Sequence, residues 1–356
     1  MPQLPERLTT SVLHLVGSAV DEFHADLSRL YAGACLAALT DSARDDVHLA
    51  YVSPDGWWRF PADLSSRSLA SAARMSVSDA VRHLGCLGID VVVPQMFCRP
   101  GMTSYRALFD VLDIPYLGNR PEVMAIGADK ARARASVAAA GVAVPDGEVL
   151  RPGDRWHLRP PVVVKPVDAD NSVGVSLVRD AAEYHVAVES AFAHSGAALV
   201  ESYVELGREV RCGIVVRDGE LICLPLEEYA VDTVSKPIRS RDDKLARNSD
   251  GDLYLVAKDA SRAWIVDDDQ ALTEKVWEAA RRCHVALGCR HYSLFDFRID
   301  PSGEPWFLEA GLYCSYAPSS VIAVMAAAIG FDVADLFAMG LAELNSEGAQ
   351  CLTSPH

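Results

Sequence analysis

The chain has 356 residues, half of them apolar and 23% charged, which supplies cores for two or three domains and excludes wholesale disorder. Its 33 Lys+Arg against 49 Asp+Glu give a formal net charge of −16, which argues against nucleic acid or an anionic membrane as the main partner, since both would repel it. Nine cysteines, at 35, 86, 98, 212, 223, 283, 289, 314 and 351, form no Cys-x-x-Cys pair, so reduced thiols in a cytoplasmic protein are expected rather than a zinc ribbon. The longest nearly uninterrupted apolar stretch, Val321–Phe331, is too short to cross a bilayer, and no secretory signal is visible.

In chain order, Val12–Val16 is an apolar run ending at Gly17, followed by an amphipathic stretch over Asp21–Leu39. Ile89–Val93 is a second β-branched run, and Ser104–Leu112 reads as a helix stopped by Asp113-Ile114-Pro115. Strand, helix, strand, helix predicts a parallel sheet flanked by helices. Pro-rich joints lie around Pro121 and from Pro152 to Pro161, with an Ala/Arg-rich helix, Asp129–Ala140, between them, closed by Gly141. Val-rich strands follow at Pro161–Val167, Val173–Val178, Ala198–Tyr203 and Glu209–Val216, with a helix over Ala181–His194. Ser235–Asp252 is polar and aperiodic and reads as a long mobile loop. Helices are expected over Thr273–Leu287 and Pro318–Ile329, on either side of a hairpin.

That hairpin joins Leu294–Asp300 to Glu304–Ala310. If Ser302-Gly303 is a two-residue turn, opposed residues have numbers summing to 605, so Arg298 faces Phe307 and Asp296 faces Glu309. Opposed side chains share a face with β-carbons about 4.5–5.5 Å apart, and two carboxylates held so repel unless a cation joins them. Mg²⁺, which takes one or two carboxylates plus phosphate oxygens, fits that need; pairing of one carboxylate with Arg298, or a bulge that shifts the register, is the alternative.

Other positions point toward phosphate. Lys165, in Val162-Val-Val-Lys165-Pro166, ends a buried-looking strand, where its charge calls for an anionic partner or a route to water. Asp168–Gly174 is a small polar loop able to fold over phosphates. Glu201-Ser-Tyr203-Val204 ends a further strand and Glu209 follows Gly207; these carboxylates either accept hydrogen bonds from a nucleoside or are simply solvated. Cys98 and Cys314 read as small packing residues.

The ordered set Asp129-Lys130, Gly141-Val-Ala-Val-Pro145, Val-Val-Val-Lys165-Pro, Asn171-Ser172-Val-Gly174, Leu199-Val-Glu201-Ser-Tyr203, Glu209, Asp296 and Leu308-Glu309-Ala310 resembles the ATP-grasp ligases, and within them the D-alanine–D-alanine ligase branch; Ile114-Pro-Tyr-Leu-Gly118 matches the end of that branch's first domain. The resemblance implies an α/β (α+β) ATP-grasp fold: a parallel-sheet domain over 1–119, a small central domain over 120–198 and a C-terminal catalytic domain over 199–356. It implies ATP and Mg²⁺ (or Mn²⁺). Lys130 and Lys165 would hold the α- and β-phosphates, Ser172 would lie in the loop closing over them, and Lys244 would reach the γ-phosphate. Glu201, Tyr203 and Val204 would line the adenine pocket, Glu209 would bind ribose, and Asp296 and Glu309 would bind the metal.

The departures are as informative. The family's asparagine two residues after the second metal carboxylate is Gly311 here, and its arginine two residues before the first is Leu294, with Arg298 or Arg290 as substitutes. The first-domain His-Gly and Glu-Asp-Gly signature is replaced by Gln95–Met102, and the Gly-Gly start by Val16-Gly17-Ser18, with Asp21 or Glu22 as an ammonium contact. ATP positions persist while amino-acid positions change. The expectation is an ATP-dependent carboxylate–amine ligase that activates an amino acid as an acyl phosphate and forms a peptide or cyclic amide, in specialised metabolism rather than cell-wall synthesis. Loading of an amino acid onto a carrier protein, and a nucleotide-binding regulator that has lost catalysis, stand as alternatives; a homodimer also stays open.

Overall fold

A computed structural model describes residues 10–39, 45–170, 172–234, 236–238, 245–247, 253–255, 261–267 and 269–353. Two compact units result: Met1–Pro121 with Val216–Glu220 and Tyr313–His356, and Glu122–Val215 with Leu221–Leu312.

In the first unit, β1 (Thr10–Gly17), β2 (Asp45–Val52), β3 (Trp58–Arg59) and β4 (Val91–Pro94) form a sheet of order β3-β2-β1-β4. Strands β1, β2 and β4 run parallel, as the strand–helix alternation predicts, and the helix Glu22–Leu39 makes the first crossover. Seven of the eight β1 residues are buried because the strand lies inside the sheet, next to a core of Leu13, Leu15, Trp58 and Phe109. The carboxyl ends of β1 and β4 are tied together by polar bonds. Gly17 N–H donates to Ser28 Oγ (2.7 Å), Ser28 donates to the Gln95 carbonyl (2.7 Å), and the Gln95 amide donates to the Ser315 carbonyl (2.8 Å). Gly17 is irreplaceable there: its φ is +104° and a β-carbon would stand 2.0 Å from the Val52 carbonyl oxygen.

Among the described residues the second unit holds two larger sheets and a two-stranded ribbon. Strands β5 (Gly147–Leu150), β6 (Val162–Pro166), β7 (Ser176–Val178) and β8 (Ala198–Ser202) pair antiparallel in the order β5-β8-β6-β7, with the helix Tyr184–Phe192 burying Tyr184, Val188 and Ala191 against them. The larger sheet is built from β9 (Arg208–Arg217), β10 (Glu220–Cys223), β11 (Glu227–Tyr229), β14 (Ala263–Ile265), β15 (Tyr292–Ile299) and β16 (Pro305–Gly311), in the order β14-β11-β9-β15-β16 with β10 beside β9. Between β11 and β14, β12 (Leu245–Arg247) pairs with β13 (Leu253–Leu255). The stretch Ser235–Asp252 is therefore not a loop throughout; its aperiodic sequence conceals one strand of a two-stranded ribbon.

The β15–β16 hairpin forms where expected but closes differently. Ile299 opposes Pro305, so the loop is the three residues Pro301, Ser302 and Gly303, with Gly303 at φ +83°. The Asp300 carboxylate organises it, accepting from Ser302 N (2.8 Å), Ser302 Oγ (2.6 Å), Glu304 N (3.0 Å) and Trp306 Nε1 (3.0 Å). Arg298 consequently faces Trp306, not Phe307. An irregularity between Asp296 and Phe297 then takes up one extra residue on β16 and restores the opposition of Asp296 to Glu309.

Two outcomes are expected. Gly17→Ala loses more than about 1 kcal/mol of stability, read as a lowered unfolding midpoint, because both its φ and its space forbid a β-carbon. His284, on the helix Gln270–Leu287, is buried with its Nδ1 2.8 Å from Ser293 Oγ, and burial pushes its pKa down to about 4. The unfolded chain takes up this proton below about pH 6.5 and the folded chain only near pH 4, so stability present above 6.5 drains away across that window. In denaturant titrations, His284→Gln should lose about 2 kcal/mol less than the wild type between pH 7 and pH 4.5.

Candidate active site

The two sheets of the second unit face a cleft lined by Lys130, Lys165, Glu201, Glu209, Asp296 and Glu309. From the smaller sheet, β6 carries Lys165 into it and β8 carries Glu201; register places Leu199 beside Lys165 and Glu201 beside Val163. Both are nearly fully buried, and their charges meet: Lys165 Nζ is 2.5 Å from Glu201 Oε2, while Arg134 Nε lies 3.4 Å from Glu201 Oε1. Lys130 opens the helix Lys130–Ala139, whose N-cap is Asp129, accepting from Arg132 N (3.0 Å). Its ammonium bonds the Ala169 carbonyl and stands 3.9 Å from Glu309 Oε2. Ser172, at φ +57°, lines the cleft from the loop between β6 and β7, and Gly174 turns the same loop at φ +69°.

The larger sheet supplies a row of charges across adjacent strands. Glu227 on β11 opposes Arg211 on β9, Arg211 opposes Asp296 on β15, and Asp296 opposes Glu309 on β16. Opposed residues project from one face, so all four stand together. Asp296, 3% exposed, is gripped by the Arg211 guanidinium from two nitrogens, Nη2 to Oδ2 at 3.0 Å and Nε to Oδ1. Burial works against the Arg211 charge, but Asp296 outweighs it and holds the guanidinium well above the ordinary arginine pKa. The cation therefore demanded by the opposed carboxylates is partly internal, and it comes from β9, not from Arg298. Glu309 is the more open member, its side chain about one-third exposed toward Lys130.

Arg298 projects from the same face two residues beyond Asp296 and engages the neighbouring groups. Its Nη2 is 2.7 Å from Glu209 Oε2 and donates to the Pro237 carbonyl (2.8 Å), its Nη1 donates to the Val204 carbonyl (3.3 Å), and its guanidinium carbon lies 5.2 Å from the centre of the Tyr203 ring. Glu209 and Val204 line the cleft; Tyr203 is reached through Arg298. Arg290 precedes β15 and is not among the lining residues, and Lys244 lies outside the described residues. Leu294 is 8% exposed, beside Gly213 on β9 and Gly311 on β16.

Sequence reasoning missed Arg211, Glu227 and Arg134. Arg211 shows as a charge inside the mostly apolar stretch Val210–Val216, a pattern that costs too much without a partner, whereas Glu227, next to Glu228, gives no such signal. In the first unit Asp21 accepts from the backbone N–H of His24 (2.8 Å) and pairs with its ring, so its carboxylate is already engaged. Cys98 and Cys314 are buried, and burial pushes the Cys314 thiol up to about 12, in keeping with packing roles. The eight cysteines with described side chains are unbonded.

A family model, "D-ala D-ala ligase C-terminus", matches residues 154–341. The D-alanine–D-alanine ligase of Mycolicibacterium smegmatis is 30% identical over 347 residues, covering 88% of this chain and 90% of that protein. The chain belongs to the D-alanine–D-alanine ligase family. The VanG D-Ala:D-Ser ligase of Enterococcus faecalis shares the fold at TM-score 0.73 and 21% identity, covering 94% of this chain and 99% of that one. The D-alanine–D-alanine ligase of Bacillus anthracis, solved with ATP, shares it at TM-score 0.70 and 18% identity, with 95% and 99% covered. D-alanine–D-alanine ligases are ATP-grasp enzymes that use ATP with Mg²⁺ to form a C–N bond, releasing ADP and phosphate. The cleft fits that chemistry: two lysines face it, and one buried and one open carboxylate meet across a hairpin as hard-cation donors. Among the described residues no group of three or more His, Cys, Asp or Glu could hold a metal, and no helix is long and apolar enough to cross a membrane.

Glu209→Ala should cost about 3–5 kcal/mol of stability, because Arg298, 3% exposed, loses its buried carboxylate; Arg298→Met combined with Glu209→Ala should recover much of that in urea unfolding.

Proposed function

We propose that the protein activates the carboxylate of one amino acid with ATP and joins it to an amine, through an acyl phosphate. The observation that carries this reading is the convergence of Lys130, Lys165, Asp296 and Glu309 on one cleft. Lys130 and Lys165 hold the α- and β-phosphates, and Ser172 lies in the loop over them. Glu201 and Val204 border adenine, while Glu209, fixed by Arg298 and with it by Tyr203, accepts the ribose hydroxyls. Arg298 is thus a positioning residue for the nucleoside in this reading rather than a stand-in for the arginine absent at Leu294. Asp296 and Glu309 hold Mg²⁺, which when bound neutralises charge on the transferring phosphoryl group.

The substrate carboxylate attacks the γ-phosphorus and ADP leaves; the amine then attacks the acyl carbonyl, loses a proton and expels phosphate. The chain's task is to align these partners and keep water from the acyl phosphate, since no enzyme nucleophile is needed. Substrates other than a pair of D-alanines are favoured by the replaced positions at Val16–Ser18, Gln95–Met102, Leu294 and Gly311. The same replacements favour a cytoplasmic role in specialised metabolism over cell-wall synthesis.

Phosphate release from ATP, measured across amino acids singly and in pairs, tests the proposal. Stimulation by two amino acids supports peptide formation, and stimulation by one supports cyclisation or a carrier-bound acceptor; nucleotide binding without turnover under any condition would favour the regulator instead. Asp296→Asn and Lys165→Ala should each lower turnover about 100-fold or more with circular dichroism unchanged, and near-normal rates in either would refute the residue assignment.

A further inference from the structure

Three carboxylates and one guanidinium share a single row of the larger sheet, and the ligation chemistry gives the guanidinium no task. Arg211 is flanked on both sides. Asp296 takes two of its nitrogens, and on the far side Glu227 opposes it in register, its carboxylate accepting the Tyr229 hydroxyl while the Tyr229 ring lies 5.4 Å from the guanidinium carbon. Its side chain is only 14% exposed, so this is a fixed charge, unlike the swinging arginines of a surface. The next row on the same face, Gly213–Leu294–Gly311, carries no side-chain oxygen at all.

We infer that Arg211 is a built-in cation standing where a further divalent ion would otherwise sit, so that the nucleotide-loaded cleft holds one divalent cation per chain. The inference rests on the nucleotide-binding reading above. Mg²⁺ and Mn²⁺ take about six oxygens, mostly from phosphates, water and one or two carboxylates. Glu309, together with whatever lone pairs Asp296 keeps beside its two-pronged bond to Arg211, supplies one such ion. A second ion would find no side-chain donor in the glycine–leucine–glycine row and would stand against an immobile positive charge. The row needs positive charge for three carboxylates, and Arg211 and Lys130 already provide part of it.

Counting Mn²⁺ decides the matter, with no reliance on turnover. The full chain is saturated with β,γ-methylene-ATP, whose binding is followed by calorimetry, and free Mn²⁺ is read by electron paramagnetic resonance. The wild type should bind one Mn²⁺ per chain, and Arg211→Gln, which removes the fixed charge, should bind two. Two ions in the wild type, or still one in a folded, nucleotide-binding Arg211→Gln, overturns the inference. Arg211→Lys keeps the charge without the fork and should stay at one even if the glutamine variant fails to fold; two there also overturns it. Lack of any nucleotide binding by the wild type sinks the nucleotide reading and this inference together, whereas a count of two with tight nucleotide binding sinks only this one.

Discussion

The charge row Glu227–Arg211–Asp296–Glu309 is the constraint around which the second unit is organised. Like charges in a partly buried cleft repel by roughly 4 kcal/mol at 4 Å when the effective dielectric constant is near 20, so acidic side chains on adjacent strands persist only with interleaved cations. The sheet supplies them from both sides: Arg211 from the central strand β9, and Lys130 from a helix N-terminus beyond the sheet edge. The same balance repeats at each end of the cleft, with Lys165 and Arg134 on Glu201 and Arg298 on Glu209. Each buried carboxylate is thereby held in place before any ligand arrives, as electrostatic preorganisation requires.

The row depends on one irregular residue pair. Side chains alternate faces along a strand, so a one-residue slip sends Glu309 to the opposite face, where Phe295, Phe297 and Phe307 meet. The three-residue loop at Pro301–Gly303 makes that slip, and the irregularity between Asp296 and Phe297 cancels it. Two departures from the simplest hairpin therefore leave the expected carboxylate pair opposed, for a reason the simple turn does not contain. The Asp300 carboxylate, with four donors on it, fixes the longer loop.

The residues proposed to face nucleotide and those proposed to face substrate differ in where they sit. The former sit on paired strands and a capped helix, where neighbouring backbone fixes their direction. Of the latter, Val16–Ser18 and Gln95–Cys98 lie at the carboxyl ends of β1 and β4, whereas Leu294 and Gly311 lie within β15 and β16. In the first unit these ends are stitched by Ser28, Gln95 and Ser315. Gln95, Met96, Phe97 and Cys98, which stand where the resemblance places the family's polar signature, are all buried.

Periodicity and spacing were enough for the elements whose pattern is strong: the run Val12–Val16, the helix after it, the Val-rich strands flanking Lys165, and the hairpin around Asp296. Ordered motifs from Lys130 to Glu309 were enough for the ligase family. Asp45–Val52 and the short strands near 245 and 253 escaped, because pairing with a neighbour, more than local alternation, makes them strands. Arg211 shows in the sequence only as a charge inside an apolar run, whereas Arg298 is there already a candidate partner for a hairpin carboxylate. Which carboxylate each one neutralises was decided by strand order, since β9 lies against β15 and puts Arg211 beside Asp296 and Glu209 beside Arg298, a choice made by contacts between residues more than 80 positions apart that no local pattern encodes.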